Sequence, residues 1–182
     1  MKRHYFIGIR LPKEIRERLH HIGSAPSLAF ARYVHVEDYH LTLAFLGPCQ
    51  EQQLARIKKA LRALVTSWHS FPLRLSTFGT FGRKDRPRIF WIGVENEPLL
   101  YSYREAIVNE MEKLGFSLDK RPFTPHITIA RKWIGETSFQ RFETDLTVKS
   151  WLVKDIVLYE SNVTKTPKYA IVESFPLHDR VL

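Results

Sequence analysis

Cys49 is the only cysteine in the 182 residues. A lone thiol closes no disulfide within the chain and builds no cysteine-rich zinc site, and it suits an intracellular, reducing setting. Long apolar runs are also missing, since no stretch reaches the roughly 18 residues that a membrane-spanning helix needs. The opening MKRHYFIGIRLPKE is basic, but its apolar run is too short for a secretion signal. These absences predict a soluble, cytoplasmic protein with no membrane partner. Three catalytic signatures are absent as well: there is no HExxH, no GxSxG elbow and no glycine loop to cradle a phosphate. Acidic residues are scarce relative to basic ones, 19 against 28, leaving a net charge of +9. That balance favours an anionic partner, with nucleic acid and phosphate compounds the first candidates.

A chain of this length suits one domain, or two small lobes sharing a core. YFIGI, residues 5–9, reads as a strand, and Pro12 stands where a helix can begin and run to about Ile22. GSAPSLAFA, residues 23–31, is small-residue loop material leading through Tyr33 to a strand that starts at His40 and ends at Gly47-Pro48. From Glu51 to Trp68 the residues Leu54, Ile57, Leu61, Leu64 and Val65 recur at helical spacing, with Arg56, Lys58, Lys59 and Arg62 on the other face. FPLRLST (71–77) and RIFWIGV (88–94) read as strands joined by the basic GRKDRPR. A second amphipathic helix carries Leu100, Tyr103, Ile107, Met111 and Leu114, with Gly115 as its stop. The remainder offers a strand at His126, a polar segment with room for a short helix, and two final strands near residues 151–159 and 169–175. Helices and strands mixed without strict alternation predict an α+β fold.

Two strands share an unusual pattern, YHLTLAF at residues 39–45 and PHITIA at 125–130. Successive strand side chains point to opposite faces, so His40 and Thr42 share one face while Leu41 and Leu43 occupy the other. His126 and Thr128 are set the same way against Ile127 and Ile129. Each strand is preceded at a similar distance by a glycine, Gly8 or Gly93, and then by a proline and a helix. The chain therefore reads as an internal duplication whose two polar faces can converge on one cleft.

Paired imidazoles facing a phosphate have a clear use. A neutral one takes a proton from an attacking water while a protonated one gives a proton to the departing alkoxide, each transfer typically contributing about 10² to 10⁴-fold. Threonine hydroxyls can hold the phosphate oxygens where charge gathers. No metal is required. One such histidine is more often a satisfied structural residue, but two in matching contexts would each need partners for buried polar groups. His20 and His21 point about 100° apart on a helix, and His4, His35, His69 and His178 show no metal-ligand spacing, so all six are read as structural or surface residues.

The segments HLTLAFLG and PHITIAR, preceded by RYVHVEDY and RPFT, resemble the bacterial and archaeal RNA 2′,3′-cyclic phosphodiesterases, formerly called 2′-5′ RNA ligases, of the two-histidine phosphoesterase superfamily. FIGIRLP, RPRIFWIGV, LYES and KYAIV also look like strands of that family, so the resemblance spans nearly the whole chain. It implies a single two-lobed domain over residues 1–182, with pseudo-two-fold antiparallel-rich sheets lining a central cleft and helices outside. It also implies metal-independent, cofactor-free opening of a 2′,3′-cyclic phosphate to a 2′-phosphate, on RNA ends or on nucleoside 2′,3′-cyclic phosphates; a monomer is the expected state. By motif position His40 would be the proton donor to the leaving 3′ oxygen and His126 the proton acceptor. Thr42, Thr128 and Arg131 would bind phosphate. Phe45, Tyr33 and Phe123 are candidates for stacking on the terminal base, with core packing the competing reading for each. The same histidines would serve the reverse reaction, 2′-5′ joining. Alternatives left open are a phosphodiesterase for a small cyclic nucleotide and a non-catalytic RNA-end-binding module.

Overall fold

The computed structural model describes residues 3–146 and 150–179. Its elements in chain order are β1 (His4–Arg10), α1 (Lys13–Gly23), β2 (Phe30–Tyr33), β3 (His40–Pro48), α2 (Glu51–Val65), β4 (Phe71–Gly82), β5 (Pro87–Val94), α3 (Pro98–Lys113), β6 (His126–Trp133), β7 (Ser150–Val153), β8 (Asp155–Ser161) and β9 (Tyr169–Pro176). One turn of 3₁₀ helix, Val36–Asp38, leads into β3. The strands form two antiparallel sheets, ordered β3-β1-β8-β9 and β2-β6-β5-β4-β7. This is the α+β architecture expected from the element pattern.

The helices form where local chemistry favours them. α2 opens with a reciprocal capping box between Gln50 and Gln53 and buries Ile57, Leu61 and Val65, leaving its basic face to water. α3 starts on Pro98, whose missing N–H would have no intrahelical partner anyway. After it the chain turns at Gly115 with φ +92, a conformation that a side chain resists. Among the described residues no helix is long and apolar enough to cross a membrane.

A continuous apolar core takes residues from both sheets and from α1, α2 and α3. Leu41, Ile127 and Ile129 are wholly buried in it, so the apolar backs of the two histidine strands tie both sheets to one interior. β3 and β6 also contact each other directly.

The structure corrects the sequence reading in four places. The end of the loop at residues 23–31 is strand: Phe30 pairs with Trp133, and Arg32 with Arg131. This strand is too short to show alternation and is held by tertiary packing, Phe30 stacking on Phe90 at 5.5 Å. The run at 151–159 is not one strand, because it breaks at Lys154; β7 joins β4 in one sheet and β8 joins β1 in the other. The polar segment after β6 holds no helix over residues 134–146. It is pinned instead by Trp133 Nε1, which donates to the Thr137 carbonyl at 2.9 Å, and by Phe139 and Phe142 packing on Phe90. Finally, α2 stops at Val65 rather than Trp68, whose indole stacks flat on Tyr103 at 4.1 Å.

Candidate active site

Side chains directly opposite one another in adjacent strands lie on the same face. In the first sheet Gly8 stands opposite Thr42, Phe6 opposite Phe45, and Phe6 again opposite Tyr159. The face bearing His40 and Thr42 therefore also bears Phe6, Tyr159 and Phe45. Gly8 gives the polar pair room, since a Cβ there would approach the Leu41 carbonyl oxygen to 2.8 Å and His40 Cδ2 to 3.7 Å.

His40 sits in an aromatic surround: Phe6 lies 4.7 Å from it, Tyr169 5.0 Å edge-on and Tyr159 5.8 Å, centroid to centroid. Phe6, Val157 and Tyr159 form a small apolar cluster of their own, with Tyr169 packed against it. Nδ1 of His40 lies 2.7 Å from the Asp38 carbonyl. A carbonyl can only accept, so Nδ1 carries a proton, and in the neutral ring Nε2 is left bare. Nε2 lies 2.9 Å from the Thr42 hydroxyl, which donates to it.

The second strand repeats the device. His126 Nδ1 lies 2.7 Å from the Thr124 carbonyl, again two residues upstream, so its Nε2 is also bare in the neutral form. Opposite Thr128 stands Trp91, and opposite Trp91 stands Gly79. A Cβ on Gly79 would strike the Trp91 indole at 2.3 Å, so glycine is what lets that ring lie flat. Phe81 meets His126 edge-on at 4.9 Å, and Trp91 lies 5.9 Å from it.

Burial sets the electrostatics. His40 is pushed down to about 4 from the ordinary 6.5, chiefly by desolvation; its bond to the Asp38 carbonyl and the Asp38 charge oppose this, while Arg131 and His126 add to it. His126 is lowered too, by desolvation first and by Arg131, against its bond to Thr124. Arg131 therefore bears on both imidazoles, and on Tyr169, whose hydroxyl burial holds above its usual range. At neutral pH both rings of the open site are uncharged. Nε2 of each neutral ring can accept a proton, and the Arg131 charge is felt by both.

Of the other aromatics expected at the site, Phe45 shares the His40 face and is 57% exposed. Tyr33 turns away: its hydroxyl donates to the Leu28 carbonyl at 2.8 Å, and it lines a surface cavity of about 410 Å³ with His20, Leu28 and Tyr39. Phe123 packs on Tyr101 and lies beneath the Arg104 guanidinium, 4.8 Å from its centroid. The GRKDRPR connection is a hairpin tip in which Arg83 pairs with Asp85 at 2.6 Å. Among the described residues no group of three or more His, Cys, Asp or Glu side chains is placed to hold a metal ion. The sequence reading missed Asp38 and the aromatic walls, Phe6, Tyr159 and Tyr169 on one side and Phe81 and Trp91 on the other. Cross-strand register was the one route to the aromatic walls, and no sequence signal marks Asp38.

The model of the 2′-5′ RNA ligase superfamily matches residues 11–165. An RNA 2′,3′-cyclic phosphodiesterase of Geobacillus stearothermophilus is 45% identical over 97% of the chain, which spans 58% of that relative's length. One of Bacillus subtilis is 31% identical over 96% of each chain. Among solved structures, TT0787 of Thermus thermophilus superposes with a TM-score of 0.82 at 26% identity, covering 98% of this chain and all of that one. E. coli LigT complexed with 3′-AMP gives 0.78 at 26% identity, over 97% and 99%. With its family model matched over most of its length and a relative 31% identical from end to end, this chain belongs to the 2′-5′ RNA ligase superfamily.

Proposed function

We propose that the protein hydrolyses the 2′,3′-cyclic phosphate at an RNA end to a 2′-phosphate, within a single two-lobed domain. The observation that carries this reading is the matched tautomer of His40 and His126, each fixed by a main-chain carbonyl two residues upstream so that Nε2 is the nitrogen left to accept a proton. Relatives named RNA 2′,3′-cyclic phosphodiesterase support the substrate class.

In the proposed reaction the phosphate lies between the two lobes, its non-bridging oxygens held by the Thr42 and Thr128 hydroxyls and the Arg131 guanidinium. His126 Nε2 accepts a proton from water as the water oxygen forms its bond to phosphorus. The bond from phosphorus to O3′ breaks, and His40 Nε2–H protonates the departing oxygen. Phosphate remains on O2′, and proton exchange with solvent resets the pair. For His40 to act as donor it must be charged, against the desolvation that lowers it. The substrate anion supplies the missing stabilisation, so His40 takes up its proton together with the substrate. Stacking of the terminal base is assigned to Phe45, a reading supported by its exposure on the same face.

The test is to incubate the purified protein with an RNA oligonucleotide ending in a 2′,3′-cyclic phosphate and to identify the product isomer. A 2′-phosphate, formed by wild type and not by His40→Ala or His126→Ala, is expected. Intact substrate, or equal turnover by the histidine variants, would overturn the reading.

A further inference from the structure

Asp38 is a buried carboxylate, 4% exposed, with no ion-pair partner among the described residues. Burying an ionised carboxylate is costly unless its oxygens are satisfied. Here both are, by amides from 130 residues away: Lys168 N–H donates to the two oxygens at 3.0 and 2.9 Å, and Tyr169 N–H donates to one at 3.0 Å. The clamp therefore fixes Lys168 and the first residue of β9 to the turn that precedes β3.

What lies on either side of the clamp gives it a use. The Asp38 carbonyl holds His40 Nδ1 at 2.7 Å, and the clamped Tyr169 stands edge-on to the same imidazole, 5.0 Å away at 84°. One residue thus fixes His40 twice, by its main chain through the tautomer and by its side chain through the ring that walls it. Among the described residues His126 has no such arrangement: its Nδ1 is held by the Thr124 carbonyl, and the Thr124 side chain makes no hydrogen bond to a distant strand. We propose that Asp38 is a positioning residue for His40, its carboxylate locking Tyr169 against the imidazole so that Nε2 stays aimed at the leaving oxygen. This rests on the proposed role of the histidine pair. The charged and titratable groups that bear on, face or wall His40 are Arg10 opposite it on β1, Asp38 before β3, Arg131 and His126 on β6, Tyr159 on β8 and Tyr169 on β9.

Asp38→Asn is the direct test, because the amide keeps the size but presents one acceptor and an NH₂ group that confronts an N–H. Expected is a fall in kcat of up to about 10²-fold, the scale of a misplaced catalytic group, with KM near the wild-type value. The pH limb lost in His40→Ala should move in Asp38→Asn, and the limb lost in His126→Ala should not. Imidazole ¹⁵N shifts, which need no turnover, should show the Nδ1–H tautomer of His40 giving way to a mixture while His126 is unchanged. Should Asp38→Asn fail to fold, Tyr169→Leu leaves the carboxylate and both amide donors in place and should give the same His40-selective changes. A folded Asp38→Asn, or a folded Tyr169→Leu in its stead, with wild-type kcat and wild-type His40 shifts would overturn the proposal. If His40→Ala is inactive in that case, the histidine mechanism stands and the brace alone is wrong; if His40→Ala is fully active, the mechanism itself fails.

Discussion

Gly8 lies so close to Leu41 that a methyl group on its Cα would stand 2.8 Å from the Leu41 carbonyl oxygen, inside any normal contact. The clash is with backbone, so one of the two strands must move. Gly8→Ala should therefore cost about 1–3 kcal/mol, the usual range for overpacking, and should lower kcat by shifting His40, the next residue back along β3. Thermal midpoint and turnover check it together. An alanine variant unchanged in both would show that β3 can yield without disturbing the imidazole.

The two faces of the histidine strands should fail in opposite ways. His40→Ala and His126→Ala should each lower kcat by about 10² to 10⁴-fold with little loss of stability. Thr42→Ala and Thr128→Ala should cost about 1–3 kcal/mol of transition-state stabilisation, the scale of one hydrogen bond to charge. Leu41→Ala and Ile127→Ala, on the wholly buried side, should cost about 2–5 kcal/mol of folding stability through the cavities they leave. Melting curves beside turnover for the six variants separate chemistry from packing.

Because both imidazoles are held below 6.5 in the open site, kcat/KM should follow a bell with its maximum on the acid side of pH 6.5. A phosphate bound as proposed would raise both values, so the maximum of kcat should lie at higher pH than that of kcat/KM. Arg131 lowers both histidines, and Arg131→Gln should move both limbs of kcat/KM upward while reducing kcat. A kcat/KM maximum above pH 7 in wild type would contradict the burial of the pair.

The same burial sets a stability window. His40 has a folded value of about 4, below the ordinary 6.5, so as pH falls the unfolded chain binds this proton before the folded one does. Stability therefore rises with pH across that interval and is lost as pH falls through it. His40→Gln should flatten the decline in thermal midpoint between pH 6.5 and 4, and an equally steep decline in the variant would place the sensitivity elsewhere.

In the proposed reaction, proton transfer by two imidazoles and charge stabilisation by Arg131 and two hydroxyls leave no step that needs a divalent ion. Turnover should be unchanged after exhaustive treatment with EDTA. Activity lost to the chelator and restored by one particular divalent ion would require a different mechanism.

What the sequence determined by itself was local. The period of two in HLTL and ITIA decides that histidine and threonine share one face and that Leu41, Leu43, Ile127 and Ile129 are driven inside, because strand alternation needs no knowledge of the rest of the chain. The 3.6-residue spacing of Ile57, Leu61 and Val65, and the glycine after α3, placed helices for the same reason. Tertiary structure decided everything that joins distant segments. β2 exists because β6 offers an edge to pair with, and the run at residues 151–159 divides between two sheets because β4 and β1 each claim part of it. Tyr33 reads as a site aromatic until its hydroxyl is seen tied to Leu28, and Asp38 reads as an ordinary turn acid until its oxygens are found clamping amides 130 residues away. Backbone amides carry no side-chain signal, so a carboxylate that binds them leaves nothing in the sequence at the other end; the partner is fixed only when burial removes the competing water and leaves those N–H groups as its remaining donors.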